Sequence, residues 1–329
     1  MNTTLLKQIC EVISPSGRED KIRQFILEDL KGHYDDYKID GLGSLIVHKK
    51  GSGPKIMLAG HMDQIGFMIT YIEKEGFLRF STIGGFDPMG LVRRRVRFAN
   101  GVEGVIAAER MDDPRKELQM NKLYIDIGVA CHMCAEKLVK VGDIAVYSAP
   151  CFIDDDKIMT PALDDRVGCF IMMEAIKRIK NPKFDMYFVF TTQEEVGLRG
   201  AKTAVHVVDP DYGLAFDVTA SFDTPKALRY SMKMGGGACI KIKDASVLCH
   251  KQMIDFLTKV AEDNKIKYQY EILDAGGTDT GAMHIHKSGV ISGCISVATR
   301  YIHSDAEMAA LSDIEDCIEL TVKALESGI

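Results

Sequence analysis

Two adjacent carboxylates, Glu194 and Glu195, lie just beyond a short apolar run at residues 186–190 and just before a turn that contains Gly197 and Gly200. Short apolar runs bounded by turn residues are typical of buried parallel strands, and open α/β sheets bind ligands beyond the carboxyl ends of such strands. Neighbouring glutamates there could divide two tasks, since one can bind a metal ion while the other transfers protons. An isolated Glu-Glu pair is more often a solvated turn, so this hypothesis needs support from other segments.

Residue types that bind metals recur at strand ends or helix starts elsewhere in the chain, at four positions: His61, Asp164, Asp217 and His303. Each alone has a simple structural explanation, such as a core histidine, a loop carboxylate, or a helix N-cap from Asp164 or its neighbour Asp165. Histidines and carboxylates together suit zinc, cobalt or manganese. Because parallel strands end at one sheet edge, the set predicts a pair of divalent ions, which two-metal hydrolases hold ~3.5–4 Å apart with a bridging carboxylate.

The segments that must position these residues show two different patterns of apolar residues. In residues 1–66 and 161–329, helix-periodic segments alternate with apolar strand-like runs, which predicts an α/β arrangement. Between residues 67 and 160, short alternating runs replace that pattern, with a hairpin signal at Asn100-Gly101 and no long helix. The sequence therefore predicts an α/β catalytic domain interrupted by a small β domain.

Composition excludes several classes of function. The 329 residues are 46% hydrophobic and 27% charged, as in globular proteins, and the net charge of -6 argues against nucleic acid or an anionic membrane as partner. No apolar run approaches the ~18 residues of a membrane span, and the first residues lack the pattern of a signal peptide. Nine cysteines, an odd number in a chain of this size, favour a reducing compartment, so we expect a cytoplasmic protein.

Two further clusters have plain structural explanations. Cys131 and Cys134 have the Cys-x-x-Cys spacing of redox and zinc sites, but no second pair follows at a spacing that would complete a structural zinc site. We therefore expect free cysteines in apolar surroundings. Four arginines between residues 93 and 97 could bind an anionic partner, yet in an acidic protein they favour a solvated or interface face of a strand.

Six motifs occur in a fixed order along the chain: GHMDQIGFM at 60–68, PALDDR at 161–166, TTQEEVGLRGA at 191–201, AFDVT at 215–219, GGTDTGA at 276–282 and TRYIHS at 299–304. Together they closely resemble the glutamyl/deblocking aminopeptidases, the TET-type cytosolic metallopeptidases of the MH clan. The resemblance covers nearly the whole chain. It implies a phosphorylase/hydrolase-like three-layer α/β catalytic domain, residues 1–66 and 161–329. It also implies an inserted small β-barrel or PDZ-like domain, residues 67–160, that serves in oligomer assembly.

The resemblance also implies a role for each site residue. One metal would be bound by His61, Asp164 and Asp217, and the other by Glu195, His303 and the same Asp164, which would bridge. Glu194 would be the general base, and Asp63 would hydrogen-bond the imidazole of His61. The cofactors would be two divalent ions per subunit, with zinc or cobalt favoured over manganese at both positions. The substrates would be short peptides, cleaved at the N-terminus.

Some positions depart from the family pattern or lie outside the implied site. Gln64 stands where the family commonly has Glu, and Asp165 stands where Asn is frequent. Neither residue is an expected ligand, so we expect these departures to affect the fine tuning and specificity of the site rather than metal binding. His284 and His286 are two residues apart after the glycine-rich turn, so they point in different directions on a helix, and we interpret them as structural or interface residues. The family forms dimers and twelve-subunit particles, which implies self-association here.

Two alternatives from other functional classes stay open. Members of the resembling family have been labelled endoglucanases, but a glycosidase needs two opposed carboxylates and no histidine ligands. A non-catalytic binding protein on the same fold would be expected to lack at least one ligand, and the full set is present here.

Overall fold

The structure, a computed structural model, describes residues 1–329. The helices are α1 (Thr3–Glu11), α2 (Asp20–Asp29), α3 (Pro88–Leu91), α4 (Pro114–Glu117), α5 (His132–Glu136), α6 (Leu163–Arg178), α7 (Arg199–Val208), α8 (Lys251–Asn264), α9 (Thr280–Met283) and α10 (Leu311–Ser327), with a 3₁₀ turn at Met120–Lys122. The strands are β1 (Asp36–Ile39), β2 (Leu45–Lys49), β3 (Lys55–His61), β4 (Gly66–Ile72), β5 (Leu78–Ile83), β6 (Arg95–Phe98), β7 (Glu103–Ala108), β8 (Leu123–Asp126), β9 (Ile144–Tyr147), β10 (Phe152–Asp154), β11 (Lys157–Thr160), β12 (Asp185–Thr191), β13 (Tyr212–Ala220), β14 (Ala238–Lys243), β15 (Tyr268–Ile272), β16 (Ile291–Arg300) and β17 (Glu307–Ala310).

One large sheet organises the molecule. Its strand order is β1-β2-β12-β3-β13-β16-β17-β11-β10, and β14 and β15 branch from β16. The four central strands β12, β3, β13 and β16 run parallel to one another. Their near-continuous apolar sequences agree with burial of both faces. Because the strands are parallel, their carboxyl ends meet at one edge of the sheet, as the sequence predicted.

Helices cover both faces of this sheet and make it the middle of three layers. On β3, Ile56 and Leu58 belong to the larger core, which also contains residues of α1, α2, α6, α8 and α10. The alternate residues Met57 and Ala59 pack into a smaller core with α7 and α9. Successive side chains on a strand point to opposite faces, so His61 at the end of β3 continues on the side of α7 and α9.

The inserted segment forms a separate closed barrel with the strand order β4-β5-β8-β7-β6-β9. It has a hydrophobic core of its own, and its helices α3, α4 and α5 have at most five residues each. The predicted hairpin at Asn100-Gly101 joins β6 to β7, with Gly101 at a φ of 89°. The predicted fold class, a three-layer α/β domain with an inserted small β barrel, is confirmed. Strands β10 and β11, which follow the barrel, extend the large sheet through β17.

The prediction of free thiols at Cys131 and Cys134 is wrong, because these two cysteines form a disulfide. Cys131 is the N-cap of the short helix α5, and the turn brings the two Cα atoms to 5.2 Å, within the range that a disulfide requires. The other seven cysteines are buried and free. No helix of the structure has the length and apolar character that crossing a membrane requires.

Candidate metal centre

The parallel register of the sheet sets two of the predicted ligands level with each other. Ala215 on β13 pairs with Ala59 on β3, so Asp217 and His61 lie two residues further on along neighbouring strands. Both side chains are almost completely buried, with exposed fractions of 6% for Asp217 and 2% for His61. Thr191, the last residue of β12, pairs with His61 on its other side, so the Glu194–Glu195 turn begins beside the same strand end.

Asp164 lies between the two histidines. Its Oδ1 is 3.0 Å from Nε2 of His61, and its Oδ2 is 3.3 Å from Nε2 of His303. The same His303 nitrogen is 3.3 Å from Oε2 of Glu195. Two groups of possible ligand atoms result, and within each group the atoms lie within 4.8 Å of one another. One group contains His61, Asp164 and Asp217, and the other contains Asp164, Glu195 and His303, so Asp164 belongs to both.

Hydrogen bonds to backbone carbonyl oxygens fix the orientation of both imidazole rings. Nδ1 of His61 donates to the carbonyl oxygen of Asp63 at 3.2 Å, and Nδ1 of His303 donates to that of Gly85 at 2.8 Å. A carbonyl oxygen can only accept, so Nδ1 carries a proton in each ring, and Nε2 is the nitrogen that becomes free to bind a metal once it loses its own proton. Gly85 follows β5 of the barrel, so the barrel holds one of the two histidines in place.

The carboxylate of Asp63 does not accept the hydrogen bond from His61 that was predicted for it, because the backbone carbonyl of the same residue accepts that bond. It is 3.5 Å from Nδ1 of His61, further than the carbonyl oxygen that accepts the hydrogen bond from that nitrogen. Its two oxygens instead accept hydrogen bonds from the backbone N–H groups of Glu194 and Glu195, at 3.0 and 3.3 Å. The hydroxyl of Ser16 donates a further hydrogen bond of 2.6 Å. Asp63 therefore fixes the glutamate turn relative to β3.

Glu194 stands beside the two ligand groups and belongs to neither. Its Oε2 is 3.9 Å from Nε2 of His61, and its side chain is 11% exposed. It lines a cavity of about 550 Å³ that also contains His61, Asp164 and His303. A carboxylate at this position can reach a water molecule held in the cavity without itself being tied to an ion.

Burial and like charge dominate the electrostatics of the site. Burial raises the pKa of Asp217, and repulsion from Asp164 adds to the rise. Burial likewise raises the pKa of Glu194. Burial would lower the pKa of His303, but its contacts with Asp164 and Glu195 raise the pKa to about 12. Oε1 of Glu195 is buried without a hydrogen-bond partner. A set of crowded carboxylates and imidazoles with an unpaired oxygen suits divalent cations, so these residues fit a metal centre.

One residue that sequence reasoning did not single out holds two candidate ligands from behind. Glu307 is buried, and its two oxygens accept hydrogen bonds from the backbone N–H groups of Asp164 (3.0 Å) and His303 (2.8 Å). Glu307 belongs to no motif, and the only sequence signal was an acidic residue opening β17 shortly after the last motif.

The two departures from the family pattern have structural roles. Asp164 and Asp165 have non-helical backbone angles, and Asp165 caps the regular part of α6 that follows them, because its Oδ1 accepts from the N–H of Gly168 at 2.9 Å. Its Oδ2 accepts from the N–H of His61 at 3.2 Å. Oε1 of Gln64 accepts from the N–H of Ser14 at 3.1 Å and from the buried guanidinium of Arg166 at 3.2 Å. Both residues brace the segments that carry the candidate ligands.

His284 and His286 lie away from the cavity. Nδ1 of His284 donates to the carbonyl oxygen of Thr280 at 3.0 Å. His286 is buried, and its Nε2 lies 3.4 Å from a carboxylate oxygen of Asp209. These contacts agree with the interpretation of both histidines as structural residues.

The family model of the M42 glutamyl aminopeptidases matches residues 43–320. The chain belongs to this family. M42 peptidases are metallopeptidases, and the aminopeptidase activity of the family agrees with the predicted reaction class.

Relatives match this M42 chain over almost its whole length. A protein from Acetivibrio thermocellus with a provisional aminopeptidase name is 46% identical over 98% of this chain and 97% of its own. The lysyl aminopeptidase of Pyrococcus furiosus is 34% identical over 98% of this chain and 96% of its own. The solved structure of the Pyrococcus horikoshii TET1 peptidase, described as assembling into a tetrahedron or a large octahedral shell, is 32% identical with a TM-score of 0.89, covering 99% of each chain.

The protonation of the histidines predicts how metal binding depends on pH. The pKa of His303 is raised to about 12 and that of His61 is also raised, so both imidazoles hold two protons at neutral pH when no metal is bound. A metal needs the neutral imidazole, so each ligand histidine must release a proton. We expect the apparent affinity for Zn²⁺ to rise between pH 6 and pH 8, by about tenfold per pH unit for each proton released. Calorimetry in two buffers of different ionisation enthalpy measures the protons released, and a pH-independent affinity without proton release would contradict this assignment.

Proposed function

We propose that this chain is a dinuclear metallo-aminopeptidase that removes N-terminal residues from short peptides. The observation that carries the proposal is the pair of ligand groups that share Asp164, with Glu194 beside them at the wall of the same cavity. A shared carboxylate and an adjacent unligated glutamate are what two-metal hydrolysis of an amide requires. Membership of the M42 family supports the same activity.

The two ligand groups support a proposal of one ion in each. His61 and Asp217 would hold one ion, Glu195 and His303 would hold the other, and Asp164 would contact both. Imidazole and carboxylate ligands without a thiolate suit zinc and cobalt, and also accept manganese. Divalent ions at these positions would polarise the scissile carbonyl group and make a water molecule more acidic.

Glu194 is the residue that moves the proton in this proposal. Its carboxylate accepts a proton from water as the water oxygen forms a bond to the carbonyl carbon of the substrate. It then returns the proton to the amide nitrogen, so that the C–N bond breaks and a neutral amine leaves. Burial raises the pKa of Glu194, which favours a carboxylate that can both take and return a proton. Asp63 positions Glu194 by accepting the hydrogen bond from its backbone N–H group.

The other two readings fit this site less well. A glycoside hydrolase acts through two opposed carboxylic groups and has no use for histidine ligands, whereas both Nε2 atoms here face Asp164. A non-catalytic protein would have no need of an unligated glutamate beside a complete ligand set.

Replacing Glu194 by Gln tests the role of this side chain. We expect kcat for an aminoacyl 4-nitroanilide to fall by about 10²–10⁴-fold, while the metal content stays that of the unmodified protein, because Glu194 is not one of the ligands. Glu75→Gln, at an exposed turn of the barrel, is the matched control and should keep full activity. Activity assays run with a chelator, and then with added Zn²⁺ or Co²⁺, should show loss and recovery.

Full activity of the Glu194→Gln variant with metal bound would contradict the assigned role of Glu194. Hydrolysis of a glucan by the chelated protein would instead favour a glycosidase. Retained peptide hydrolysis under chelation would contradict the metal dependence of the reaction.

We further propose that residues 67–160 form an assembly domain, separate from a catalytic domain of residues 1–66 and 161–329. The barrel in this segment exposes large apolar side chains, including Tyr71, Met89 and Met133 with exposed fractions of 61%, 62% and 70%. Such side chains are common in protein interfaces. We expect dimers that build a twelve-subunit particle, and the tetrahedron or large octahedral shell described for the Pyrococcus horikoshii relative supports self-association.

Light scattering tests this assembly directly. We expect particles larger than a dimer once Zn²⁺ or Co²⁺ is bound, and only monomers with and without metal would contradict the proposal. We also propose a cytoplasmic location, because seven of the nine cysteines are free and only Cys131 and Cys134 are joined in a disulfide.

A further inference from the structure

The disulfide of Cys131 and Cys134 takes no part in the proposed hydrolysis. It closes the turn Cys131-His132-Met133-Cys134, in which Cys131 is the N-cap of α5 on the barrel. Met133 and Cys134 are exposed and Cys131 is half-buried, so the turn faces solvent. We refer to residues 131–134 as the cysteine turn, whose Cys-x-x-Cys spacing is that of thiol–disulfide redox sites.

Exposure separates this pair from the other cysteines of the chain. The remaining seven are buried and free, namely Cys10, Cys151, Cys169, Cys239, Cys249, Cys294 and Cys317. Burial also raises the thiol pKa, to about 12 for Cys249 and well above the usual range for Cys10 and Cys317. The thiolate is the reactive form of cysteine, so a buried thiol that stays protonated is inert. The accessible sulfur chemistry of this chain is therefore confined to the cysteine turn.

The barrel does not depend on this disulfide as a structural cross-link. The bond joins residues only three apart in sequence, and the entropic effect of a cross-link falls as the closed loop becomes shorter. The barrel is closed by its six strands, and Ala135 and Val139 are completely buried in its core. Disulfides in reducing compartments are mostly transient and serve catalysis or redox sensing, and exposed ones exchange most readily. These features favour a functional disulfide over a structural one.

Backbone hydrogen bonds hold the cysteine turn independently of the S–S bond. The N–H of Cys134 donates to the carbonyl oxygen of Cys131 at 3.0 Å. His132 attaches the turn to the neighbouring hairpin, because its N–H donates to the carbonyl oxygen of Lys74 and its Nδ1 to that of Ile72, both at 3.0 Å. These bonds keep the two sulfur atoms close to each other when the S–S bond is broken, as a reversible pair requires.

The two sulfur atoms have different surroundings. Sγ of Cys131 accepts a hydrogen bond of 3.1 Å from the backbone N–H of Cys134. A hydrogen bond to the charged form favours that form, so Cys131 is the better leaving thiolate. Cys134 is the more exposed of the two residues, so its sulfur is the one that an incoming thiolate reaches.

We propose that Cys131 and Cys134 form a redox-active site on the barrel, whose reaction partner is a dithiol. A thiolate of the partner attacks Sγ of Cys134, and the S–S bond breaks with its electron pair on Sγ of Cys131. The second thiolate of the partner attacks the partner's own sulfur in the mixed disulfide and releases Cys134 as a thiolate. Two electrons and, through solvent, two protons pass to the cysteine pair, and the partner leaves as a disulfide.

Labelling the folded, metal-loaded protein with N-ethylmaleimide counts its reactive thiols by mass spectrometry. We expect none after treatment with oxidised glutathione and two after treatment with dithiothreitol, both in the cysteine turn. Unfolding in guanidinium chloride should add the seven buried thiols in either case. The double variant Cys131→Ser, Cys134→Ser is the matched control and should show no reactive thiol when folded, with folding checked by its thermal unfolding midpoint.

A series of glutathione buffers tests whether the exchange is reversible. The protein is equilibrated at different ratios of reduced to oxidised glutathione, quenched with acid and labelled. We expect a change of about 100-fold in [GSH]²/[GSSG] to take the pair from about one-tenth to about nine-tenths reduced, as a single two-electron couple requires. A structural disulfide resists reduction by glutathione, so it would show no such transition.

The two single variants test which sulfur is attacked. The reverse reaction with oxidised glutathione passes through the same mixed disulfide, which a single cysteine cannot resolve. We expect Cys131→Ser, which keeps the exposed sulfur, to form this mixed disulfide at least about tenfold faster than Cys134→Ser, which keeps the half-buried one.

Clear outcomes would overturn the proposal. A pair that stays oxidised at every glutathione ratio is a structural disulfide, and a pair that stays reduced at every ratio is not a redox couple. Reaction of the buried cysteines of the folded protein as fast as that of the cysteine turn would also contradict it. A faster reaction of Cys134→Ser than of Cys131→Ser would contradict the proposed order of attack. None of these results bears on the proposed peptidase activity, because neither cysteine belongs to the metal centre.

Discussion

Several carboxylates buried together cannot all stay ionised unless cations lie among them, and this constraint governs the structure around Asp164. Asp164, Asp217 and Glu195 crowd one small volume, and the imidazoles of His61 and His303 contact Asp164 directly. The raised pKa values of both histidines and of Asp217 express this constraint, since protons take the place that divalent ions would fill. The cluster makes chemical sense as a metal centre, whereas a structural core has no reason to contain it.

The sheet, the loops and the barrel hold the candidate ligands and Glu194 in position around Asp164. The parallel register of β3 and β13 places His61 and Asp217 side by side, because both residues belong to the strands themselves and not to loops. The residues in turns are held by hydrogen bonds instead. Glu307 accepts from the backbone of Asp164 and His303, Asp63 accepts from that of Glu194 and Glu195, and Gly85 of the barrel accepts from the ring of His303. Sheet, loops and barrel therefore all contribute to one site, and most of its rigidity comes from backbone hydrogen bonds.

Much of this could be predicted from the sequence, because the central strands are uninterrupted apolar runs and the candidate ligands directly follow them. The same local signals gave the barrel hairpin at Asn100-Gly101. Contacts between distant segments could not be predicted. The hydrogen bonds of Glu307, and those that Asp63 accepts from the backbone of Glu194 and Glu195, depend on how a strand, a helix start and a loop meet. The disulfide of Cys131 and Cys134 depends on a helical turn too short to leave a periodic pattern.

The central claim is that one carboxylate, Asp164, belongs to two ion sites at once. The most direct test is the zinc content of the purified protein and its variants, measured by mass spectrometry after loading and dialysis. We expect two ions per subunit in the unmodified protein, one in His303→Ala, and none retained in Asp164→Asn, since removing the shared ligand weakens both sites. Folding of each variant is checked by its thermal unfolding midpoint. Two tightly bound ions in a folded Asp164→Asn variant would contradict a centre built on that residue.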